Sequence, residues 1–266
     1  MPVDIQLSVA IITRDRPESL RNGLKSLRSQ NLQPFEVIVS DDSGAEYVEA
    51  TRNLAENYGC IYRVGPHRGL YANRNFAFLQ CRGTHIRTMD DDHILPSGHL
   101  GQCLEAIKKD PTAIWTTGEI GYLNGVLAGV GETANQLEPA GVGIQVDNRD
   151  DNWGIADGST IYPREVFDRG FRIVEDFKLG SSYLEFGAYL YQNGWKSRCI
   201  PGAMVEHHAT ELARPDVLSQ MFASICFNHY FRPDVWRAAR YFANYWRNWM
   251  KLPDILEMAR RRWKAV

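Results

Sequence analysis

Between residues 7 and 92, short apolar runs alternate with stretches whose apolar residues return every three or four positions. The run LSVAIIT (7–13) is apolar and β-branched almost throughout, the pattern of a parallel strand buried on both faces. In the following RPESLRNGLKSLRSQ (16–30), Leu20, Leu24 and Leu27 recur at helical spacing and Pro17 falls near the first turn. FEVIVSDD (35–42) repeats the strand pattern and ends in acids, and residues 46–58 read as a helix closed by Gly59. CIYRVG (60–65), LYANRNFAFLQC (70–81) and HIRTM (85–89) then read as strand, helix and strand. Repeated β-α-β-α units predict an α/β fold, a mostly parallel sheet with helices on both faces.

Beyond residue 113 the pattern loosens. IWTTGEIGYLNGVLAGVG contains strand-like pieces and several glycines, and residues 138–154 read as a mobile loop over the sheet edge. Residues 182–193 read as a helix stopped by Gly194, and KSRCIPGAMVEHH (196–208) as a strand ending in two histidines. Residues 215–264 read as helical, punctuated by Pro233 and Pro253. The expected organisation is a domain over 1–212, divided into halves at 1–110 and 111–212, and a helical C-terminal extension over 213–266.

Composition narrows the classes. At 44% hydrophobic and 11% aromatic residues, the 266-residue chain can build a full core. A net charge of -2 gives no general attraction to nucleic acid, which is excluded as a partner. The five cysteines are odd in number and scattered, so neither a disulfide framework nor a cysteine zinc site is expected. The N-terminus lacks the basic start of a signal peptide, and no run of about 18 apolar residues is present. The expected location is cytoplasmic, with association at the inner face of a membrane as a further option.

In doubly wound sheets, ligands bind beyond the carboxyl ends of the strands. Those ends are TRD (13–15), SDDSG (40–44), GPHRG (65–69) and DDDH (90–93), all polar or charged. Three consecutive carboxylates, Asp90, Asp91 and Asp92, repel one another unless a cation or helix end holds them. Hard oxygen donors suit Mg²⁺ or Mn²⁺, which are often bound together with phosphate oxygens. Arg14, Arg16, Arg68 and Arg74 are predicted for the same edge, and guanidinium groups suit phosphate. An aspartyl phosphatase of the haloacid dehalogenase type fits poorly, because Ile94 stands where that motif needs Thr or Val.

These residues resemble the family 2 glycosyltransferases of the GT-A fold. The opening SVAIITRDRPESLRNGLKSLRSQNLQPFEVIVSDDSG (8–44) is similar to that family's first strand–helix–strand unit. RGLYANRNFAF (68–78) is similar to its G-x-x-x-A-R-N segment, and TMDDDHILPSG (88–98) to its D-x-D motif. Gly194–Trp195 and IPGAMVEHH (200–208) resemble the stretch ending in a metal-contacting histidine. The resemblance runs from residue 7 to about 208. It implies inverting transfer of a sugar from a nucleotide-diphosphate donor, assisted by Mn²⁺ or Mg²⁺. It implies that Thr13 and Asp42 contact the base, that Arg74 lies near the diphosphate, and that Asp90 and Asp91 lie near ribose and metal. Asp92 matches the principal metal carboxylate, and His207, or failing it His208, matches the late metal ligand. Arg14 and Arg68 join the nucleotide-sugar set by their predicted position.

The sequence departs from the family where an E-D pair is usual: Ser182 and Tyr183 fall there. Glu185, two residues on, is the expected catalytic base, with Glu175, Asp176 and Asp157 as alternatives. The acceptor is unspecified, whether a glycan, a lipid-linked or a small molecule. In 232–266, nine Arg or Lys are interleaved with Trp236, Tyr241, Phe242, Tyr245, Trp246, Trp249 and Trp263. Such a tail packs on the domain, forms a homodimer or lies in a membrane interface. A catalytically silent nucleotide-sugar-binding protein is the rival to a working transferase. A nucleotide-sugar pyrophosphorylase fits less well, because its glycine-rich loop is absent.

Overall fold

The structure is a computed structural model and describes residues 4–210, 216–231, 236, 243 and 246–264. The chain starts as β1 (Leu7–Thr13), α1 (Pro17–Arg28), β2 (Glu36–Asp41), α2 (Ala45–Asn57), β3 (Ile61–Val64), α3 (Leu70–Gln80) and β4 (His85–Asp90). These are the elements the apolar periodicity predicts, each displaced by a residue or two at most. Strand β5 (His93–Ile94) and helix α4 (His99–Lys109) follow. Then come β6 (Ile114–Leu123), β7 (Val126–Gly131), β8 (Asn135–Leu137), β9 (Gly143–Gln145), β10 (Thr160–Pro163) and the one-turn α5 (Glu165–Asp168). Helix α6 (Ser182–Gln192), β11 (Ser197–Ala209), α7 (Val217–Phe231), a 3₁₀ turn at Trp246–Lys251 and α8 (Leu252–Trp263) complete the described order.

Among the described residues the main sheet runs β3-β2-β1-β4-β10-β6-β11-β5, with β7 added to β6. Strands β3, β2, β1 and β4 are parallel neighbours, and β6 pairs parallel with β11. Strand β10 is antiparallel to both β4 and β6, and β5 and β7 are antiparallel edges. In β1, Leu7, Val9 and Ile11 pack with α1, α2 and α4, whereas Ala10 and Ile12 pack with α3 and α6. Burial on both faces explains why the strand is a continuous apolar run rather than an alternating one.

The register sets the functional edge. Thr13 stands opposite Asp41, and Ile12 opposite Asp90, so the polar ends of β1, β2 and β4 arrive at one level.

Residues 138–154 depart from the expected loop. Strand β9 lies within them and pairs with β8, and Trp153 Nε1 donates to the Leu137 carbonyl at 2.8 Å. Asn152 bridges to Ser197, which ties the segment to the sheet.

The C-terminal helices are packed on the domain. Ile255 and Ala259 of α8 join Met221, Phe222, Ile225 and Cys226 of α7 in one apolar cluster. The tail aromatics Tyr241, Phe242 and Tyr245, and Pro233, lie outside the described residues. No described helix is long and apolar enough to cross a membrane. All five cysteines are free and buried, as their scatter suggested.

Candidate active site

Asp90 ends β4 and Asp91 and Asp92 form the turn into β5; Asp90 has its own cation, whereas the other two share Arg16. Asp90 accepts from Arg74 Nη2 at 2.8 Å. Asp91 accepts from Thr13 Oγ1 at 2.7 Å, and its second oxygen lies 2.6 Å from Arg16 Nη2. Asp92 accepts from Arg16 Nη1 at 2.9 Å. Its other oxygen, Oδ1, is buried without a hydrogen-bond partner and lies 3.6 Å from His207 Nε2.

The histidines arrive through strand pairing. Strands β5 and β11 place His93 opposite His207, so the two side chains are cross-strand neighbours with ring centroids 4.9 Å apart. His208 points to the opposite face, as strand alternation requires. It stacks on Tyr122 and pairs with Glu206 at 3.0 Å. Of the two terminal histidines, geometry thus brings His207 to the acids. Asp92, His93 and His207 each offer a ligand atom within 4.8 Å of the others. An open cleft of about 610 Å³, lined by Asn22, Lys25, Asp92, Glu206 and His208 among others, lies beside the turn on the His208 face.

Electrostatics divides the carboxylates. Burial pushes Asp91 up to about 7, against the pull of Arg16. Burial acts on Asp92 in the same sense, but His207, His93 and Arg16 outweigh it and hold Asp92 below its ordinary value. Arg74 likewise overcomes burial and keeps Asp90 low. Asp92 and Glu119 together raise His207 to about 10, and its Nδ1 lies 3.0 Å from Glu119 Oε1. Burial lowers His93 and favours the neutral ring.

Arg74 is inside the protein, 2% exposed, between Asp90 and Asp157, whose Oδ1 lies 3.0 Å from Arg74 Nε. Arg74 Nη1 is buried without a hydrogen-bond partner. Burial raises Asp157 to about 6 despite Arg74. The next residue, Gly158, rests on the cluster, where a Cβ would collide with the His93 ring and the Asp90 carboxylate.

Other expected residues lie further out. Asp42 accepts from the His67 backbone N–H at 2.9 Å, at the β2 end of the same edge. Arg14 is exposed beside Asp15, and Arg68 is exposed and paired with Glu175 at 3.1 Å. Glu175 also accepts from Asn75 at 3.0 Å, and neither contact reaches the aspartates.

Glu185, the expected base, has partners that the sequence did not announce. It lies in α6 and is wholly buried. Arg262 Nε and Nη2 donate to its two oxygens, each at 2.9 Å, and Tyr230 Oη donates to Oε1 at 2.7 Å. A carboxylate held on both oxygens by a buried guanidinium is not open to an acceptor hydroxyl. It is an anchor for α8, and Arg262 adds a contact 3.7 Å over the Tyr189 ring. Truncating one partner of a buried ion pair costs about 3–5 kcal/mol. Arg262→Ala is therefore expected to lower the unfolding free energy by that amount, read as a lower urea midpoint, and the double variant Glu185→Leu, Arg262→Met to recover most of it. An unchanged midpoint in Arg262→Ala would reject the anchor.

Sequence reading missed His93, Glu119 and the direct hold of Arg16 on two aspartates. Arg16 was visible as a cation of this edge, and His93 as the residue after the acids. Glu119 gave no local signal.

A mixed sheet with carboxylates, arginines and a histidine gathered at its parallel strand ends defines a protein of the GT-A class. The sequence pattern described as "Glycosyl transferase family 2" matches residues 8–171, and the chain belongs to that family. An uncharacterized glycosyltransferase, YwdF, of Bacillus subtilis is 27% identical over 104 residues, 39% of this chain and 39% of that one. GalNAc(5)-diNAcBac-PP-undecaprenol beta-1,3-glucosyltransferase of Campylobacter jejuni is 30% identical over 108 residues, 38% of this chain and 34% of that one. The match thus spans little more than a third of either relative.

Two solved structures share the fold. GalNAc-T7, solved with UDP, GalNAc and Mn²⁺, superposes on 85% of this chain and 48% of its own, with TM-score 0.68 and 15% identity. S. aureus TarS in complex with UDP superposes on 83% of this chain and 64% of its own, with TM-score 0.62 and 18% identity.

Proposed function

We propose that this chain is a metal-dependent, inverting glycosyltransferase that moves a sugar from a nucleoside diphosphate donor to an acceptor hydroxyl. The observation that carries the reading is a pair of unsatisfied buried atoms at one sheet edge. Asp92 Oδ1 faces His207 without a hydrogen bond, and Arg74 Nη1 has no hydrogen-bond partner. The first is what a cation site leaves open, and the second is what an anionic ligand would fill. Burying such groups unpaired is costly, so a ligand that satisfies both is favoured.

In this reading Asp92 and His207 hold Mn²⁺ or Mg²⁺, while Thr13 and Asp42 flank the base. Asp90 and Asp91 line the ribose side, and Arg74 faces the diphosphate. Arg14 and Arg68 are exposed cations at the mouth that draw the anionic donor in. A bound divalent cation supplies charge stabilisation to the departing diphosphate, which is greatest in the transition state. Asp157 is the proposed base in place of Glu185. It is partly exposed beside Arg74 and adjoins the aspartates through Gly158. Its raised value of about 6 leaves it charged at neutral pH but basic enough to accept a proton. Inversion follows from one in-line displacement with the base on the acceptor side.

The polyprenol-linked acceptor in the Campylobacter enzyme's name supports lipid-linked glycans as the acceptors to screen first. The silent-binder reading draws support from the missing E-D pair and from the sealed Glu185. One experiment separates the two: titration with UDP-, GDP- and dTDP-sugars, with Mn²⁺ and with chelator, while slow donor hydrolysis is followed. Metal-dependent binding with hydrolysis is expected. Binding without hydrolysis or transfer to any screened acceptor favours the silent binder, and no binding at all rejects both.

A further inference from the structure

We propose that His93 is a third protein ligand of the metal, so that the cation is held by two imidazoles and one carboxylate. We infer that this donor set prefers Mn²⁺, Co²⁺ or Zn²⁺ to Mg²⁺. The proposal rests on the reading of Asp92 and His207 as metal ligands and adds a residue that the D-x-D resemblance does not supply.

Three observations carry it. The ligand atoms of Asp92, His93 and His207 lie within 4.8 Å of one another, close enough for one ion to touch all three. Each ring has its Nδ1 beside an oxygen acceptor: His93 Nδ1 is 3.0 Å from the Gly158 carbonyl, and His207 Nδ1 is 3.0 Å from Glu119 Oε1. With the Nδ1 proton so placed, a metal ion takes the Nε2 side of each ring, on His207 in place of the proton that faces Asp92. Metal-binding histidines almost always show this arrangement, the second nitrogen being pinned by a carboxylate or a backbone carbonyl. Finally, Asp92 Oδ1 is buried and lacks a hydrogen-bond partner beside these rings.

A buried histidine satisfied by one backbone carbonyl would account for His93 by itself. It does not account for the cross-strand pairing with His207, nor for a buried carboxylate oxygen whose one contact is the 3.6 Å approach of His207 Nε2. Gly158 fits the same picture. It closes over the His93 ring so tightly that a side chain there would strike it, and its carbonyl fixes the ring.

The preference follows from ligand chemistry. Imidazole suits first-row transition ions and Zn²⁺, whereas Mg²⁺ favours an all-oxygen shell. A site with two imidazoles among its protein ligands is therefore poorer for Mg²⁺ than for Mn²⁺, Co²⁺ or Zn²⁺.

The test uses the full chain with MnCl₂ and MgCl₂, each with and without UDP. Calorimetry gives the affinities, and pulsed EPR of bound Mn²⁺ counts the coupled imidazole nitrogens. The wild type should show two such nitrogens and a clear preference for Mn²⁺. His93→Gln should show one, and the ratio of Mn²⁺ to Mg²⁺ affinity should fall by roughly 10-fold or more. One coupled nitrogen in the wild type would overturn the His93 assignment while leaving Asp92 and His207 in place. That measurement needs no variant and so stands even if His93→Gln fails to fold. Wild-type protein that binds neither ion, with or without UDP, would overturn the metal reading itself.

Discussion

Asp92→Ala abolishes metal-dependent donor binding, with a loss of roughly 100-fold or more in apparent donor affinity when Mn²⁺ is present. Asp92 is the one member of the acidic triplet that faces both histidines, so its removal takes the only carboxylate from the candidate ligand set. Asp90 cannot replace it, because Arg74 holds it, and Asp91 is engaged by Thr13 and Arg16. The fold should survive. Asp92 lies at the sheet edge, and without it Arg16, which is nearly half exposed, keeps its contact with Asp91 and turns its other nitrogen to water. The residual affinity should be that of the wild type in chelator. Donor titration with and without Mn²⁺ reads both quantities. Metal-dependent affinity equal to wild type would reject Asp92 as a ligand.

The same triplet shows what a sequence can and cannot convey. The first strands are legible because a parallel strand buried on both faces is an apolar run, as in β1 and the centre of β2, whereas β4 is equally buried but carries His85, Arg87 and Thr88. The acids at their ends were legible as a cluster for the same reason: strand ends in such a sheet share one edge. The second half is less so. In β6 the first five residues are buried and the last five half-buried, while β7 is exposed almost throughout, so neither shows one period. His93 became a site residue only through a two-residue strand paired with a segment 114 positions away. The surroundings of Glu185 were not legible, because its carboxylate is answered by Arg262, 77 residues on, in a helix whose docking nothing near Glu185 announces. Its helical position was read well, but its partner was not.

Asp157→Asn stops sugar transfer while leaving donor binding within a few-fold of wild type. The substitution keeps the shape of the side chain and removes its capacity to take a proton, so the loss falls on the chemical step. Removal of a general base lowers the rate by about 10²–10⁴-fold. The pH profile supplies a second, sharper test. Asp157 is raised to about 6, first by burial and then by Asp90 and Glu119, with Arg74 pulling the other way. A base must be ionised to act, so wild-type kcat/KM should rise with pH through about 6 and level off above it. Below that value the carboxyl is protonated and the rate falls about tenfold per pH unit. In Asp157→Asn the residual rate should lack this limb. Arg74 should hold the amide oxygen weakly, so a modest rise in donor Kd is expected and is separable from the change in kcat. Glu185→Gln, measured beside it, should lose stability and keep the limb at pH 6. Full turnover by Asp157→Asn, or an unchanged acidic limb in its profile, would remove Asp157 from the mechanism and return the search to Glu175 and Asp176.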